Sequence, residues 1–301
     1  MKSMIAGVVL ALSLDASAAV SHWIPFNSEG GHISIPVTVN GVESRALLDS
    51  GAAGNGISER FLSEHEIEFD FGRQIIVSGV AGERKVRQIN GLKVGMFGTE
   101  FEINQMMPVY LRNADVLIGL GFFNNFILQI DYPNSQLRII THDSLKLKEL
   151  ANVRMKKAAG SPQPIVKVDM NGEANLWLTL DTGNNSGILI PRRSATRFDW
   201  LEKYGTSEAR MAGATKLTNV ERFNLPELTI GPAVLENVIV IVPGEGEKTN
   251  VGRDESAKLG TRVKQTSSDG ILGYDVLKHF VVTIDYKRSY LHLGAPAEPR
   301  D

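Results

Sequence analysis

Two short motifs supply the carboxyl groups in this chain that are best suited to chemistry. They are Asp49-Ser50-Gly51 and Asp181-Thr182-Gly183. Two carboxyl groups held close together cannot both ionise easily, so the pKa of one falls and the pKa of the other rises. The ionised group can then take a proton from a water molecule while the neutral group donates one to an amide. The motifs therefore predict hydrolysis of a peptide bond through one shared water, with the pair titrating as a unit.

The sequence around the two motifs repeats, which indicates two copies of one structural unit. Residues 34–51 and 165–183 each contain a strand-like run, an Asn-Gly pair and a second run that ends in the motif. Asn-Gly between two such runs is a strong hairpin signal. Farther on, residues 126–139 and 280–293 align without a gap. A lone Asp-Ser/Thr-Gly is a weak signal, but two in matched surroundings are a strong one.

The residues after each aspartate are suited to holding it in place. Gly51 and Gly183 have no Cβ, so they permit a close approach of two backbones at the tips of tight turns. The hydroxyl groups of Ser50 and Thr182 can hydrogen-bond within their own turn or across to the other copy. We expect these groups to fix the geometry that a catalytic pair needs.

The middle of each copy contains an apolar run closed by glycine, Gly119 in the first and Gly273 in the second. We expect this run to form a strand that passes close under the aspartate. Glycine-tipped segments at Val77–Val86 and Arg210–Thr218 are expected to form hairpins. The first is the better candidate for a mobile flap over the site, with a plain surface hairpin as the alternative. The candidate flap residues are Ser78, Gly79, Val80, Ala81 and Gly82, together with Ala212 and Gly213.

These patterns predict an all-β chain with two lobes and a cleft between them. The expected organisation is a signal peptide (1–19), a first lobe (20–142), a linker (143–152), a second lobe (153–296) and a tail (297–301). Short helices are expected around Ser58–His65, Gly121–Asn125, Pro191–Phe198 and Tyr274–His279. The polar stretch 243–269 is expected to form a long loop.

Composition narrows the classes of function. The 34 acidic and 32 basic residues give a net charge of −2, which argues against a nucleic-acid partner. The chain has no cysteine, so disulfides, thiolate nucleophiles and cysteine zinc sites are excluded. Its six histidines show no metal-ligand spacing, and we expect no catalytic metal.

The N-terminus has the three parts of a secretory signal in order. Lys2 is followed by an apolar run at residues 4–14 and by the small residues of Ala16-Ser17-Ala18. We expect cleavage after Ala18 or Ala19, export to the periplasm or beyond, and no membrane span after cleavage. An uncleaved anchor or a buried strand is the alternative interpretation.

At these residues the chain resembles the pepsin-type and retroviral-type aspartic peptidases, and it is most similar to bacterial proteins that carry two retropepsin-like units in tandem. The matching motifs are Asp49-Ser50-Gly51-Ala52 with Ile118-Gly119, and Asp181-Thr182-Gly183-Asn184 with Leu272-Gly273. The resemblance implies a bilobal, pepsin-like acid protease fold built from two retropepsin-like β-barrel lobes. It implies a nucleophilic water, β-hairpin flaps, an extended peptide or protein substrate, and neither metal nor organic cofactor. One chain supplies both aspartates, so a monomer suffices for activity.

Some features depart from the family pattern or invite a second interpretation. Asn184 stands where the family usually has Thr, Ser or Ala, and no tyrosine lies between Asp70 and Gly95, where pepsins carry one on the flap. Asn184 favours the alternative of a catalytically silent peptide-binding protein of the same fold. A structural envelope protein is a further alternative, with no positive feature. The repeated Asp131-Tyr132 and Asp285-Tyr286 pairs are interpreted as structural, and Trp177 as a core residue.

Overall fold

The computed structural model describes residues 19–80, 82–111, 113–159, 161–212, 217–247, 249–251 and 266–296. The predicted signal peptide except Ala19, the tail, and the candidate flap residues Ala81 and Gly213 lie outside these ranges. Most of the predicted 243–269 loop does so as well. Within the described ranges, no helix combines the length and the apolar character needed to cross a bilayer.

The chain is built mainly of strands. The first copy contains β1 (Ile24–Pro25), β2 (Ser34–Val39), β3 (Val42–Leu48), β4 (Gly56–Ser58), β5 (Asp70–Gly79), β6 (Gly82–Asn90), β7 (Leu92–Met96), β8 (Thr99–Ile103), β9 (Met107–Val109), β10 (Val116–Ile118), β11 (Ile127–Asp131) and β12 (Gln136–Ile140). The second contains β13 (Met155–Lys157), β14 (Pro164–Met170), β15 (Ala174–Leu180), β16 (Ile188–Leu189), β17 (Ser207–Ala212), β18 (Leu217–Ile230), β19 (Ala233–Pro243), β20 (Gly270–Leu272), β21 (Val281–Asp285) and β22 (Tyr290–Gly294).

The helices are short. They are α1 (Glu59–Glu64), α2 (Leu120–Phe123), α3 (Leu147–Leu150), α4 (Arg192–Arg197), α5 (Trp200–Tyr204) and α6 (Tyr274–Leu277), with a 3-10 turn at Glu29–Gly31. Four of them lie where the sequence predicted helices. The sequence analysis missed α5, whose five residues carry no side-chain cap, and which is held instead by the fully buried Trp200.

Each copy folds into a lobe around the same strand order. The first sheet runs β8-β7-β2-β3-β10-β4-β9, and the second runs β13-β14-β15-β20-β16-β19-β18-β17. In both lobes the strand that ends in the motif pairs in parallel with the strand of the apolar-glycine run, β3 with β10 and β15 with β20. The second sheet also pairs β14 with β18. The repeat in the sequence is thus a repeat of topology, and the prediction of a two-lobed all-β fold is confirmed.

The Asn-Gly hairpins form as predicted. Asn40 and Gly41 have φ values of 48° and 83°, and Asn171 and Gly172 have 59° and 66°. These positive angles suit the two central residues of a tight hairpin turn. In the first hairpin, buried and accessible residues alternate along β2, so one face packs into the core.

A third sheet joins the lobes, in the order β1-β12-β11-β21-β22. Its centre is the antiparallel pairing of the two aligned repeat segments, in which Gln129 lies opposite Thr283. Because these residues are equivalent in the repeat alignment, a local two-fold axis passes between them. The Gln129 side chain donates a hydrogen bond of 2.7 Å to the Thr283 hydroxyl across this axis. The contact is self-complementary, as in a symmetric dimer, although one chain makes both halves.

Two expectations about packing had different outcomes. Asp131 and Asp285 are buried and accept backbone N–H groups of the turns that follow them, from Asn134 and Arg288, in keeping with a structural role. Trp177, expected in the core, is only partly buried. Its ring lies 3.9 Å from the Lys156 ammonium, so a cation–π contact replaces core packing at this position.

Candidate active site

The two motif aspartates lie at the ends of β3 and β15, where the lobes meet. The Asp49 N–H donates to the Ile118 carbonyl at 2.9 Å, and the Asp181 N–H donates to the Leu272 carbonyl at 3.0 Å. In each lobe, the strand of the apolar-glycine run therefore holds the backbone of the aspartate from beside it. Both turns follow strands, β3 and β15, that pair with a neighbour on each side within their sheets. This pairing fixes the positions of the turns.

Ser50 and Thr182 bind the two turns to each other. The Ser50 N–H donates to the Thr182 hydroxyl at 3.0 Å, and the Thr182 N–H donates to the Ser50 hydroxyl at 3.1 Å. Each hydroxyl also donates, at 2.8 Å, to a carbonyl of the opposite lobe, Ser50 to Leu180 and Thr182 to Leu48. Both residues are buried. These four bonds across the lobe boundary set the separation of the turns.

The glycines of the motifs allow the turns to approach. A Cβ on Gly51 would lie 2.5 Å from the carboxyl atoms of Asp181, and a Cβ on Gly183 would collide in the same way with the carboxyl of Asp49. Each glycine therefore packs against the aspartate of the other copy. A side chain of any size at either position would separate the two carboxyl groups.

The Asp49 and Asp181 carboxyl groups lie side by side, each against the motif glycine of the other copy, and they interact directly. Burial raises the pKa of both, and the neighbouring Asp49 charge raises the pKa of Asp181 further. Asp49 also accepts the N–H groups of Gly51 at 2.8 Å and Ala52 at 3.0 Å, which stabilise its carboxylate. Asp181 accepts the Gly183 N–H at 2.8 Å. Because both pKa values are raised, the arrangement favours one proton shared by the pair, which titrates as a unit.

The pair is enclosed by protein but not sealed. Asp49 and Asp181 are both partly accessible, whereas the Ser50 and Thr182 side chains beneath them are buried. A small polar molecule can therefore reach the carboxyl groups from one side only. Chemically, an ionised and a neutral carboxyl at one point can deprotonate a water and protonate a carbonyl oxygen together.

Asn184 does not place its side chain on the pair. Its amide donates to the Gly187 carbonyl at 3.2 Å and accepts the Ser186 N–H at 3.2 Å, within its own turn. Its backbone N–H contributes to lowering the pKa of Asp181. Gly273 packs directly on this turn, and Gly119 packs in the same way on the carbonyl oxygens of the first turn.

The first flap candidate is a long hairpin of β5 and β6 whose tip contacts the opposite lobe. Asn250, in the second copy, donates from its side chain to the Gly79 carbonyl at 2.8 Å and to the Ser78 hydroxyl at 3.3 Å. Its backbone N–H donates to the Val80 carbonyl at 2.9 Å. Gly82 begins β6 opposite Gly79. The described part of the hairpin tip is thus held by three hydrogen bonds to the second lobe.

The second flap candidate is described only in part. Ala212 ends β17 and pairs with Leu217 of β18, so the predicted hairpin around these residues is present. The tip between them, which includes Gly213, lies outside the described residues. The flap role of either hairpin stays a prediction.

Four residues near the pair were not singled out as site residues by the sequence analysis: His32, Gln163, Tyr132 and Tyr286. His32 interacts with the Gly183 backbone and with the Asp49 charge. The side chain of Gln163 donates to the Gly51 carbonyl. The two tyrosines are fully enclosed, and burial raises the pKa of each hydroxyl, with the Asp181 charge adding to this. The repeat itself was the available signal, because both members of each pair hold equivalent positions in the two copies.

Comparisons with known proteins bear on this site. A model of the aspartyl protease family matches residues 35–122 and 166–276, one aspartate motif in each match. Among solved structures, the chain is similar to a retropepsin-like aspartic protease from Rickettsia conorii, with 19% identity over 42% of this chain and 94% of that one and a TM-score of 0.30. It is also similar to Basic 7S globulin from soybean, with 11% identity over 93% of this chain and 95% of that one and a TM-score of 0.48. A search of curated proteins gave no match.

Proposed function

The chain belongs to the aspartyl protease family, and from that premise we propose that it is an aspartic endopeptidase in which Asp49 and Asp181 activate one shared water. The observation that carries the proposal is the carboxyl pair itself. Each carboxyl packs against the motif glycine of the other copy, and burial raises the pKa of both groups. Two carboxyl groups with raised pKa values that share one proton supply the acid and the base of the reaction at the same place.

The proposed reaction returns the pair to its starting state. Asp49, as carboxylate, takes a proton from the water, whose oxygen forms a bond to the carbonyl carbon of the peptide. Asp181 gives its proton to the carbonyl oxygen, so a tetrahedral diol forms. The carbon–nitrogen bond then breaks as the nitrogen takes the proton from Asp49. A diol hydroxyl returns its proton to Asp181 at the same time.

The substrate proposed for the cleft is a peptide or protein segment in extended form. Extended segments bind well beside strands because their backbone groups can pair while alternate side chains fill pockets. The β5–β6 hairpin, with its tip against Asn250, is proposed to cover such a segment. One chain carries both aspartates, so a monomer is sufficient for this chemistry.

The alternative of a silent peptide-binding protein rested on Asn184. Its side chain is engaged with Ser186 and Gly187 in its own turn, so no contact of that side chain favours the alternative. The alternative becomes an outcome of the test below.

The test is cleavage of a mixed peptide library from acidic to neutral pH by wild type, Asp49→Asn and Asp181→Asn. The proposal predicts that wild type cuts and that both variants, folded by circular dichroism, do not. Cutting by the variants at the wild-type rate would contradict it. If folded wild type cuts nothing at any pH yet retains peptides, the binding protein is the correct description.

We also propose that residues 1–19 direct export, as the signal pattern of the sequence suggests. Expression in a bacterial host with mass measurement of the periplasmic protein tests this. A product that begins at Ala19 or Val20 supports export, whereas an intact chain retained in the cytoplasm argues against it.

A further inference from the structure

His32 and Gln163 occupy equivalent positions in the two copies. Each lies eight residues before the asparagine of its hairpin turn, Asn40 in the first copy and Asn171 in the second. The two residues thus lie just before the equivalent strands β2 and β14. They hold the same position in the two copies but carry different side chains.

Both side chains reach across to the other lobe. The His32 ring interacts with the backbone of Gly183, the glycine after the second aspartate. The Gln163 amide donates to the carbonyl of Gly51, the glycine after the first aspartate. Each copy therefore holds the motif turn of the other copy with a side chain that precedes its own hairpin.

Further contacts fix the His32 segment against the second turn. The Asn185 side chain donates to the Gly30 carbonyl at 3.0 Å. Gly31 packs so closely on Asn185 that a Cβ there would lie 2.7 Å from its carbonyl oxygen. His32 is consequently placed by its backbone as well as by its ring.

The two positions differ in charge. Gln163 is neutral at every pH, whereas the His32 imidazole can gain a proton. The charged group that acts on His32 is Asp49, the aspartate of its own copy. On its own segment Glu29 is exposed, and on β3 Arg45 hydrogen-bonds Ser34, two residues farther along the chain. Of these two equivalent positions, the first carries a titratable side chain and the second does not.

We propose that His32 is a positioning residue of the catalytic pair: it holds the Asp181 turn through Gly183, and its protonated form places a positive charge beside Asp49 that Gln163 cannot match for Asp181. This inference rests on the proposed peptidase function. It assigns different parts to the two equivalent positions, because His32 can gain a proton and Gln163 cannot.

The direction of the effect follows from charge. Burial lowers the pKa of His32, while the Gly183 hydrogen bond and the Asp49 charge raise it in opposition. Once protonated at acid pH, His32 favours the Asp49 carboxylate and keeps the pair singly ionised to lower pH. At neutral pH the ring is uncharged and leaves the pair unaffected. His32 therefore extends the acid side of the activity profile and not the alkaline side.

The first test is the pH profile of kcat/KM for wild type, His32→Gln and His22→Gln. Glutamine is chosen because Gln163 shows that an amide makes the equivalent cross-lobe bond. We expect the acid limb of His32→Gln to move up by about one pH unit, the scale of losing one neighbouring unit charge. The alkaline limb and plateau should stay within about twofold. His22 is exposed, and its variant should match wild type. An unmoved acid limb in His32→Gln would overturn the proposal.

The second test does not require activity, so it separates this inference from the peptidase assignment. The histidine ring signals are titrated by NMR in wild type and in Asp49→Asn, with the His32 signal identified by its loss in His32→Gln. The proposal predicts that the pKa of His32 falls further when Asp49 loses its charge. An unchanged His32 titration would overturn the proposal even if wild type cleaves peptides. A fall would support it even if no peptide is cut.

Discussion

The hydroxyl groups of Ser50 and Thr182 each accept the backbone N–H of the other residue, at 3.1 and 3.0 Å, across the boundary between the lobes. Each also donates to a carbonyl at the end of the strand that delivers the opposite aspartate. These bonds between the turns therefore fix the separation of Asp49 and Asp181. A shared proton requires such fixed geometry, since a small displacement of one carboxyl removes the interaction.

Removing either hydroxyl should weaken the whole molecule. Ser50→Ala or Thr182→Ala leaves a buried N–H and a buried carbonyl without their partner, which costs about 1–3 kcal/mol of unfolding free energy. Urea unfolding measures this. Thr182→Ser is the matched control, because it keeps the hydroxyl and reproduces the residue of the other copy. Alanine variants as stable as Thr182→Ser would show that the cross-lobe bonds contribute little.

The motif glycines should not tolerate a methyl group. In Gly51→Ala the new Cβ meets the Asp181 carboxyl, so we expect loss of peptide cleavage by at least about a hundredfold, the usual scale for losing one acid–base partner. Gly121→Ala is the control, since nothing lies within 4 Å of a Cβ there. The ratio of kcat/KM values for the two variants is the measurement. Comparable activity in both would exclude the close packing described above.

The sequence predicted the hairpins that carry the two aspartates better than the side chains that pack around them. Asn-Gly turns, strand alternation and the two motifs are local signals, and they located the hairpins that present Asp49 and Asp181. The repeated apolar-glycine runs predicted a strand close to each aspartate, and the structure shows that this strand, β10 in the first copy, runs parallel to β3. These features depend on residues close in sequence or repeated in both copies, which is why they were accessible.

Contacts between distant segments were not predictable in the same way. The bond of Gln163 to Gly51 joins residues 112 positions apart, and no local pattern at either residue indicates it. Trp177 was expected in the core because aromatic residues usually bury well, yet Lys156 covers its ring at the surface. The contact of Asn250 with the tip of the β5–β6 hairpin was likewise not predictable, since Asn250 lies in a polar stretch without periodicity.

The contribution of Asp49 and Asp181 to the stability of the folded protein should decrease as pH rises. The pKa values of Asp49 and Asp181 in the folded chain lie above the ordinary aspartate value. A raised folded pKa means that the contribution to stability is fully present below the unfolded value and is lost as pH rises through the folded one. Asp181→Asn removes the group with the larger shift. Its Tm should equal that of wild type near pH 3 and exceed it increasingly toward pH 7, by about 2–4 °C for each kcal/mol. A constant difference across this range would contradict the assigned burial cost.

The side chain of Asn250 should hold the tip of the β5–β6 hairpin against the second lobe. Asn250→Ala removes the side-chain bonds to Gly79 and Ser78, so local opening of the flap tip should become about 2–10 times more frequent, the equivalent of one modest hydrogen bond. Hydrogen exchange of the flap peptide measures this opening. Asn175→Ala is the control, because exposed Asn175 bonds only Asp169 within its own hairpin. Equal exchange in the two variants would show that the flap tip is held by other contacts.

The central claim is that two carboxyl groups, one from each copy, share the chemistry. The most direct measurement is the single-turnover rate on one peptide that wild type cleaves, compared among wild type, Asp49→Asn, Asp181→Asn and the Gly121→Ala control. We expect a fall of roughly 10²–10⁴-fold or more in each asparagine variant, with the control at the wild-type rate. An asparagine variant that keeps its rate within about tenfold of wild type would contradict the shared-water mechanism.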